Sequence, residues 1–340
     1  MIVLGVDPHK YSHTIVAVDS TTGQVVDDVQ VAARKNVGNI LVDWAARYED
    51  RVWAVEDVRQ LSGRLQVELL GLDERVVRVP PKLMAGVRRS ARTLGKSDPI
   101  DAEAVARAAI RHPDLPGATF DPALRDVKLL CNYRDQLVGE RTRMHNRLRW
   151  LLHELDPDWQ IALRTLERAI TMRKVEVRLR QYPQTAQVDI CNAILQRCMQ
   201  ITKEIDQLLT RLDHATWELA PTLRKMVGCG ALTAARIIAD APTGIPSDAK
   251  LAMLAGVAPL QASSGDHQRH RLNRMGNRRL NGAIHRIALT QIRMHPPAKA
   301  YMERRQEDGK TRREAMRALK RYVTRAVHKA LIADAGHRLA

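Results

Sequence analysis

Short apolar runs and amphipathic stretches alternate through the first hundred residues. Ile2–Val6 is apolar and stops at Asp7, Thr14–Val18 and Val25–Val31 flank the turn signal Thr22-Gly23, and Val52–Val55 is a further apolar run that ends at Glu56. Val37–Tyr48 and Gly63–Leu70 carry helical spacing, and Val76–Val79 precedes Pro80-Pro81. The predicted order is β-β-β-α-β-α-β followed by a helix. Three strands joined by short turns and then βα units describe a mixed sheet covered by helices.

Beyond Pro122 the periodicity changes. Ala123–Leu155 and Ala186–Leu219 have apolar residues at helical intervals amid charge, with Leu129, Leu130, Leu137, Met144, Leu148, Leu151 and Leu155 on one seam and Ile194, Ile201, Ile205, Leu208 and Leu212 on the other. A coiled-coil arm fits this pattern, serving core packing or dimerisation. From Leu223, glycines and prolines punctuate short helices before a basic helix near Arg312–Leu331. The chain therefore divides into three expected parts: 1–118 (mixed α/β), 119–220 (all helical) and 221–340 (small and helical).

Charge adds a partner to this picture. The 340 residues hold 55 Lys plus Arg against 38 Asp plus Glu, a net +17. From Gln261 onward the counts are 19 and 6, so the excess is concentrated in the last quarter. Such an asymmetry points to a polyanion, and with no membrane-length apolar run or signal-peptide start the expected setting is the cytosol and its nucleic acid, with no membrane partner. Aromatic residues make up only 4% of the chain, so phosphate contacts rather than base stacking should dominate. Cys131, Cys191, Cys198 and Cys229 form no C-x-x-C pair and read as buried thiols.

The chemistry lies in the acids. Asp7 and Glu56 each end an apolar run, so adjacent strands would present both at one sheet edge; Asp98 and Asp101 stand at i and i+3 in the first turn of a helix. Four converging carboxylates repel one another and raise their pKa values, a conflict that a divalent cation such as Mg²⁺ resolves. That arrangement suits phosphoryl transfer. Asp57 and Glu103 are alternates that strand and helix geometry turn away. Toward the C-terminus, Ser263-Ser264-Gly265 stands among Arg269, Arg271, Arg274, Arg278 and Arg279, a hydroxyl with cations able to neutralise a phosphate. Gly228 and Gly230 make a turn before a helix, either a helix-hairpin-helix phosphate site or a plain helix corner.

Together the segments G-V-D-P-H-K, W-A-V-E-D, K-S-D-P-I-D-A and A-G-V-A-P-L-Q-A-S-S-G resemble the DEDD-type insertion-sequence transposases of family one-hundred-and-ten, which include the Piv/MooV-type invertases. The resemblance implies a RuvC-like RNase H fold for the first domain, with Asp7, Glu56, Asp98 and Asp101 as Mg²⁺ ligands. It also implies that Ser264, directly before the glycine, forms a covalent phosphoserine link to DNA; the duplicated serine of this sequence leaves Ser263 as a substitute. A dimer or tetramer whose subunits share the active site, donor and target DNA as substrates, a guiding bridge RNA and a nucleoid-associated location follow from the same resemblance. The segment after Glu56 reads D-V-R-Q-L-S-G, departing from the family's small-residue T-G pattern. Rival readings are a RuvC-like nuclease with no covalent step and an inactive nucleic-acid-binding regulator.

Overall fold

The predicted strands become β1 (Ile2–Pro8), β2 (Ser12–Asp19), β3 (Val25–Ala32), β4 (Arg51–Glu56) and β5 (Val76–Val79). In the computed structural model they form one sheet in the order β3-β2-β1-β4-β5. The β1–β2 and β2–β3 pairs are antiparallel, whereas β1–β4 and β4–β5 are parallel. The described residues are 1–84, 97–115, 117–162, 165–261, 270–271, 273–274 and 276–339, without the side chains of Arg59, His270 and 337–339. Two compact units divide the chain, Met1–Asp121 and Pro122–Ala340.

Strand alternation sorts the first unit into layers. On one face Leu4, Val6, Ile15, Trp53 and Val55 pack against α1 (Val37–Ala45) and α2 (Arg59–Gly71) through Val37, Leu41, Leu65 and Leu69. On the other, Val3, Val16, Val18, Ala54 and Val79 pack against α3 (Asp98–Arg111) through Ala102, Val105, Ala106 and Ala109. Gly5 lies on the α3 face, where a Cβ would come within 2.1 Å of the Ala102 carbonyl oxygen and 2.6 Å of the Ala106 amide nitrogen. Only glycine lets the helix backbone come this close.

Among the described residues, the second unit's regular structure is helical apart from two paired strands of two residues each. Helices α4 (Pro122–Leu155) and α6 (Ala186–Leu219) run antiparallel, tied by Arg197–Glu140 at 3.1 Å and by the Gln187 amide donating to the Leu151 carbonyl at 3.0 Å. Their seam buries Leu137, Leu148, Ile201, Ile205 and Leu208 as the periodicity predicts. Leu129, assigned to the same seam, instead stands 54% exposed, because the packed face at that end runs through Val127 and Cys131. A helix not anticipated, α5 (Ala169–Leu179), inserts Met172, Val175 and Leu179 against Leu148, Leu152 and Leu195. All four cysteines are buried and free.

The remaining elements are α7 (Pro221–Arg224), α8 (Ala231–Asp240), α9 (Asp248–Leu254), the hairpin β6 (Leu260–Gln261) and β7 (His270–Arg271), then α10 (Arg278–Met294), α11 (Pro296–Glu307) and α12 (Arg312–Leu339). Leu223, Ala234, Ile237, Leu280, Ile284, Ile287, Val323 and Val327 make one core, which the α4 and α6 ends join through Val127, Cys131 and Leu212.

Candidate active site

The parallel register of β1 and β4 ends at Val6 opposite Val55, so Asp7 and Glu56 are the next residues on neighbouring strands. In parallel pairing, level residues share a face. Both side chains belong to the α3 face, since Asp7 alternates with Val3 and Gly5 and Glu56 with Ala54. Pairing of β1 with β2 continues through Asp7–Thr14 and Pro8–His13, which holds Asp7 firmly.

Helix α3 brings the other two acids. Asp98 is its first residue and Asp101 lies in its first turn, where the positive end of the helix dipole favours carboxylates. Asp98, Ala102 and Ala106 follow the i, i+4 row that rests on Gly5, so Asp98 lies one turn toward the N-terminus from the closest approach. Asp101 is buried and Asp98 half-buried. Glu103 faces elsewhere and pairs with Arg107 at 2.6 Å.

Asp7 is 6% exposed, and its Oδ2 is buried with no hydrogen-bond donor. Its pKa is raised to about 6, first by burial and then by the charges of Glu56, Asp101 and Asp98, with His9 working in the opposite direction. The other three predicted acids therefore all act on this one buried carboxylate. A buried oxygen without a donor is costly, and a divalent cation satisfies it with the ligand chemistry carboxylates suit.

His9 was not anticipated. It lies in the β1–β2 turn, with its amide donating to the Ser12 carbonyl at 2.9 Å, and its Nδ1 stands 3.7 Å from Asp7 Oδ2 and 3.9 Å from Asp98 Oδ2. Among the described residues, Asp7, His9 and Asp98 form a group able to hold a metal ion, with ligand atoms all within 4.8 Å of one another. The signal available in the sequence was its position two residues after an acid at a strand end.

In the second unit, Ser263, Ser264 and Arg269 lie outside the described residues. The hairpin strands β6 and β7 bracket the segment that contains them. Arg271, Arg274, Arg278 and Arg279 are all exposed. At the start of α10, Asn277 accepts hydrogen bonds from the Arg279 and Leu280 amides at 2.9 and 3.1 Å, so the arginine side chains rather than those amides are available to an anion. Arg279 also donates to Asn132. Gly228 has φ +88°, and a Cβ there would meet the Ile287 carbonyl oxygen and Thr290 Cβ at 3.0 Å, which makes it a helix-packing residue. Gly230 is exposed with open space around it and precedes α8 with no side-chain cap.

Comparison with known proteins matches two spans of the chain. A family model of the DEDD IS110 type, described as a transposase, matches residues 4–157, the span that holds all four acids. A second, described as the transposase IS116/IS110/IS902 family, matches residues 220–303, which include Gly228, Gly230, Ser264 and the arginines. The chain is 26% identical to the insertion element IS116 44.8 kDa protein of Streptomyces clavuligerus, over 94% of this chain and 92% of that protein. It is 28% identical to the insertion element IS110 43.6 kDa protein of Streptomyces coelicolor, over 66% and 68% of the two chains. The solved T. thermophilus RuvC in complex with a Holliday junction substrate is similar to 35% of this chain and 99% of its own, with a TM-score of 0.29 and 13% identity.

Proposed function

Because the chain belongs to the IS116/IS110/IS902 family of transposases, enzymes that cut and rejoin DNA, we propose that it excises and inserts an insertion element by Mg²⁺-dependent strand exchange with Ser264 as nucleophile. The observation that carries this reading is Asp7: a buried carboxylate with a donorless oxygen, close to Asp98 and His9 and acted on by the charges of Glu56 and Asp101. In this reading those four residues hold the metal, and His9 stands within reach as a further ligand. Bound there, Mg²⁺ supplies Lewis-acid stabilisation of charge on a phosphoryl oxygen.

The chain's own groups do the rest. Ser264 Oγ forms a bond to phosphorus while the bond from phosphorus to a deoxyribose oxygen breaks; the serine proton leaves to a base and the departing oxygen takes one up. Reversal on a second strand restores a phosphodiester without an external energy source. Arg269, Arg271, Arg274, Arg278 and Arg279 offset the phosphate charge, and Gly230 opens a helix N-terminus to a backbone phosphate. The division at 118/119 and 220/221 assigns the acids to the first part and the serine to the last, shared between subunits of a homodimer or tetramer working on donor and target DNA. A non-coding bridge RNA would select the sites, on the nucleoid in the cytoplasm. No described helix is long and apolar enough to cross a membrane.

The test uses end-labelled DNA carrying the element's junction. Wild type should leave protein covalently attached to cleaved DNA, Asp7→Asn should neither cleave nor attach, and Ser264→Ala should lose the covalent species. Wild-type strand cleavage by Ser264→Ala would replace the serine mechanism with metal-assisted hydrolysis. Sequencing RNA that co-purifies with the protein tests guidance: a defined non-coding species supports it and a random pool refutes it.

A further inference from the structure

The second unit contains a cavity of about 820 Å³, walled by β7, the turn after α9, α11 and α12, of whose lining the proposed chemistry draws on Arg271 alone. Seven of its lining residues are Lys or Arg and one, Glu314, is acidic. Some of these cations are already matched: Arg305 with Asp308 at 3.2 Å, Arg317 with Glu314 at 3.9 Å, and Arg321 and Arg325 with Asp248 at 2.6 and 3.5 Å. Among the described residues, Arg271, Lys310 and Lys320 form no ion pair within 4 Å, although Lys310 acts at longer range on Glu314.

Lys320 is the unusual member. It is only 7% exposed, and its ammonium donates to Asn281 Oδ1 at 2.6 Å. The Asn281 amide in turn donates to the Ala255 carbonyl at 2.7 Å, so the lysine is held against the wall of the cavity. Buried ammonium groups ordinarily have an anionic partner. Burial pushes the Lys320 pKa down to about 8, as expected where that partner is missing, and an anion in the cavity would reverse that effect.

The same cavity carries an aromatic pair at the edge of the apolar core. Tyr301 and Tyr322 line it as an edge-to-face pair with ring centroids 5.1 Å apart. Tyr322 is 55% exposed, and the Arg325 guanidinium lies 5.7 Å from its ring centroid. A cationic floor beside an accessible ring combines the two contacts used for single-stranded nucleic acid, phosphate pairing and base stacking. The volume lies within the ~300–1,000 Å³ range of small-molecule sites. A base locked in a duplex has no face to offer the ring.

We propose that this cavity is a nucleotide subsite that takes one unpaired nucleotide of a DNA or RNA strand, with its phosphate on Lys320 and Arg271 and its base against Tyr322. The inference rests on the nucleic-acid reading above and adds a single-strand site separate from the acids.

The test is fluorescence anisotropy on the full chain with short mixed-sequence single-stranded DNA, single-stranded RNA and duplex DNA. Lys320→Met should weaken single-strand binding about tenfold and make the slope of log affinity against log salt shallower by ~0.7, the share of one phosphate on a single strand. Tyr322→Ala should weaken it by roughly fivefold or more, with Tyr322→Phe retaining affinity because the ring remains. Duplex binding should stay within about twofold in all variants. Weakening confined to DNA or to RNA identifies the strand bound, and weakening on both shows that the site reads the shared chemistry. Tyr322 is exposed, so its pair of variants carries the test even where Lys320→Met fails to fold. Unchanged single-strand affinity in Tyr322→Ala and in folded Lys320→Met, or equal weakening on duplex and single strands, overturns the subsite. Those results leave Asp7-dependent cleavage intact, whereas a wild type that binds and cleaves no nucleic acid overturns the parent reading.

Discussion

Gly5 on β1 and Ala102 on α3 meet so closely that a methyl group on the glycine would lie 2.1 Å from the Ala102 carbonyl oxygen. This approach sets the height of α3 above the sheet, and with it the height of Asp98 and Asp101 over Asp7. A Gly5→Ala chain must lift or tilt the helix. The expected cost is about 1–3 kcal/mol or more in urea unfolding, because backbone and not a flexible side chain has to yield. Stabilisation by added Mg²⁺ should fall in the same protein although no acid has changed. A Gly5→Ala protein matching wild type in both measurements would show that the close approach does not position the acids.

Asp7 supplies a second prediction through its pKa, raised from 3.8 to about 6, first by burial and then by its acidic neighbours. Since the folded state holds this proton more tightly than the unfolded chain, the stabilising contribution is full below pH ~4 and is lost as pH rises through about 6. At neutral pH the metal-free protein therefore forgoes on the order of 3 kcal/mol at this carboxylate. Asp7→Asn should be more stable than wild type at pH 7 in a chelator, with the difference vanishing toward pH 4. Added Mg²⁺ should stabilise wild type and leave Asp7→Asn unmoved. Thermal unfolding across pH, with and without the metal, reads each of these signs.

His9 tests how the acids are balanced. Its Nδ1 lies 3.7 and 3.9 Å from the Asp7 and Asp98 oxygens, a place for either a ligand or a counter-charge. Imidazole favours later transition metals, whereas Mg²⁺ prefers oxygen. As a ligand, His9 should make His9→Ala lose roughly tenfold or more in Co²⁺ affinity and much less for Mg²⁺, measured by titration calorimetry. Equal changes for both ions would assign it the counter-charge role alone.

The acids were legible because two physical signals coincided. Apolar runs stop where strands leave the core, which marked Asp7 and Glu56, and the i, i+3 spacing marked Asp98 and Asp101 as neighbours on a helix start. The register of Val6 with Val55 then placed the strand-end pair level on the α3 face. His9 was not legible because it lies in a hairpin turn, where no periodicity assigns a face. Leu129 misled because heptad spacing does not say where along α4 a partner helix begins to cover it. Lys320 was hidden among the cations of α12, although Lys320, Thr324 and His328, all buried at i, i+4 spacing, mark a polar stripe beside the apolar one of Leu319, Val323 and Val327. Helix α5 carries Arg168, Arg173, Lys174, Arg178 and Arg180 in and beside it; its apolar side is just Met172, Val175 and Leu179, too few turns for a strong pattern.

The second unit has a pH response opposite in sign to that of Asp7. His145 on α4 is buried with no partner for its Nε2, and burial, then Arg141 and Arg149, push its pKa down to about 4 against the weaker pull of Glu167. Above pH 6.5 both folded and unfolded histidines are neutral and the full stability is present. As pH falls from 6.5 toward about 4, the unfolded chain gains a proton that the folded one refuses, which costs on the order of 3 kcal/mol by the lower end. His145→Leu should remove that loss, so its advantage over wild type in urea unfolding grows steadily between those pH values. Over the same interval, metal-free Asp7 gains stability as pH falls. Acidification should therefore lower the stability of the helical unit, and His145→Leu should remove that share of the loss. A wild-type profile flat from pH 6.5 to 4, or an acid loss that His145→Leu leaves unchanged, would remove His145 as the cause.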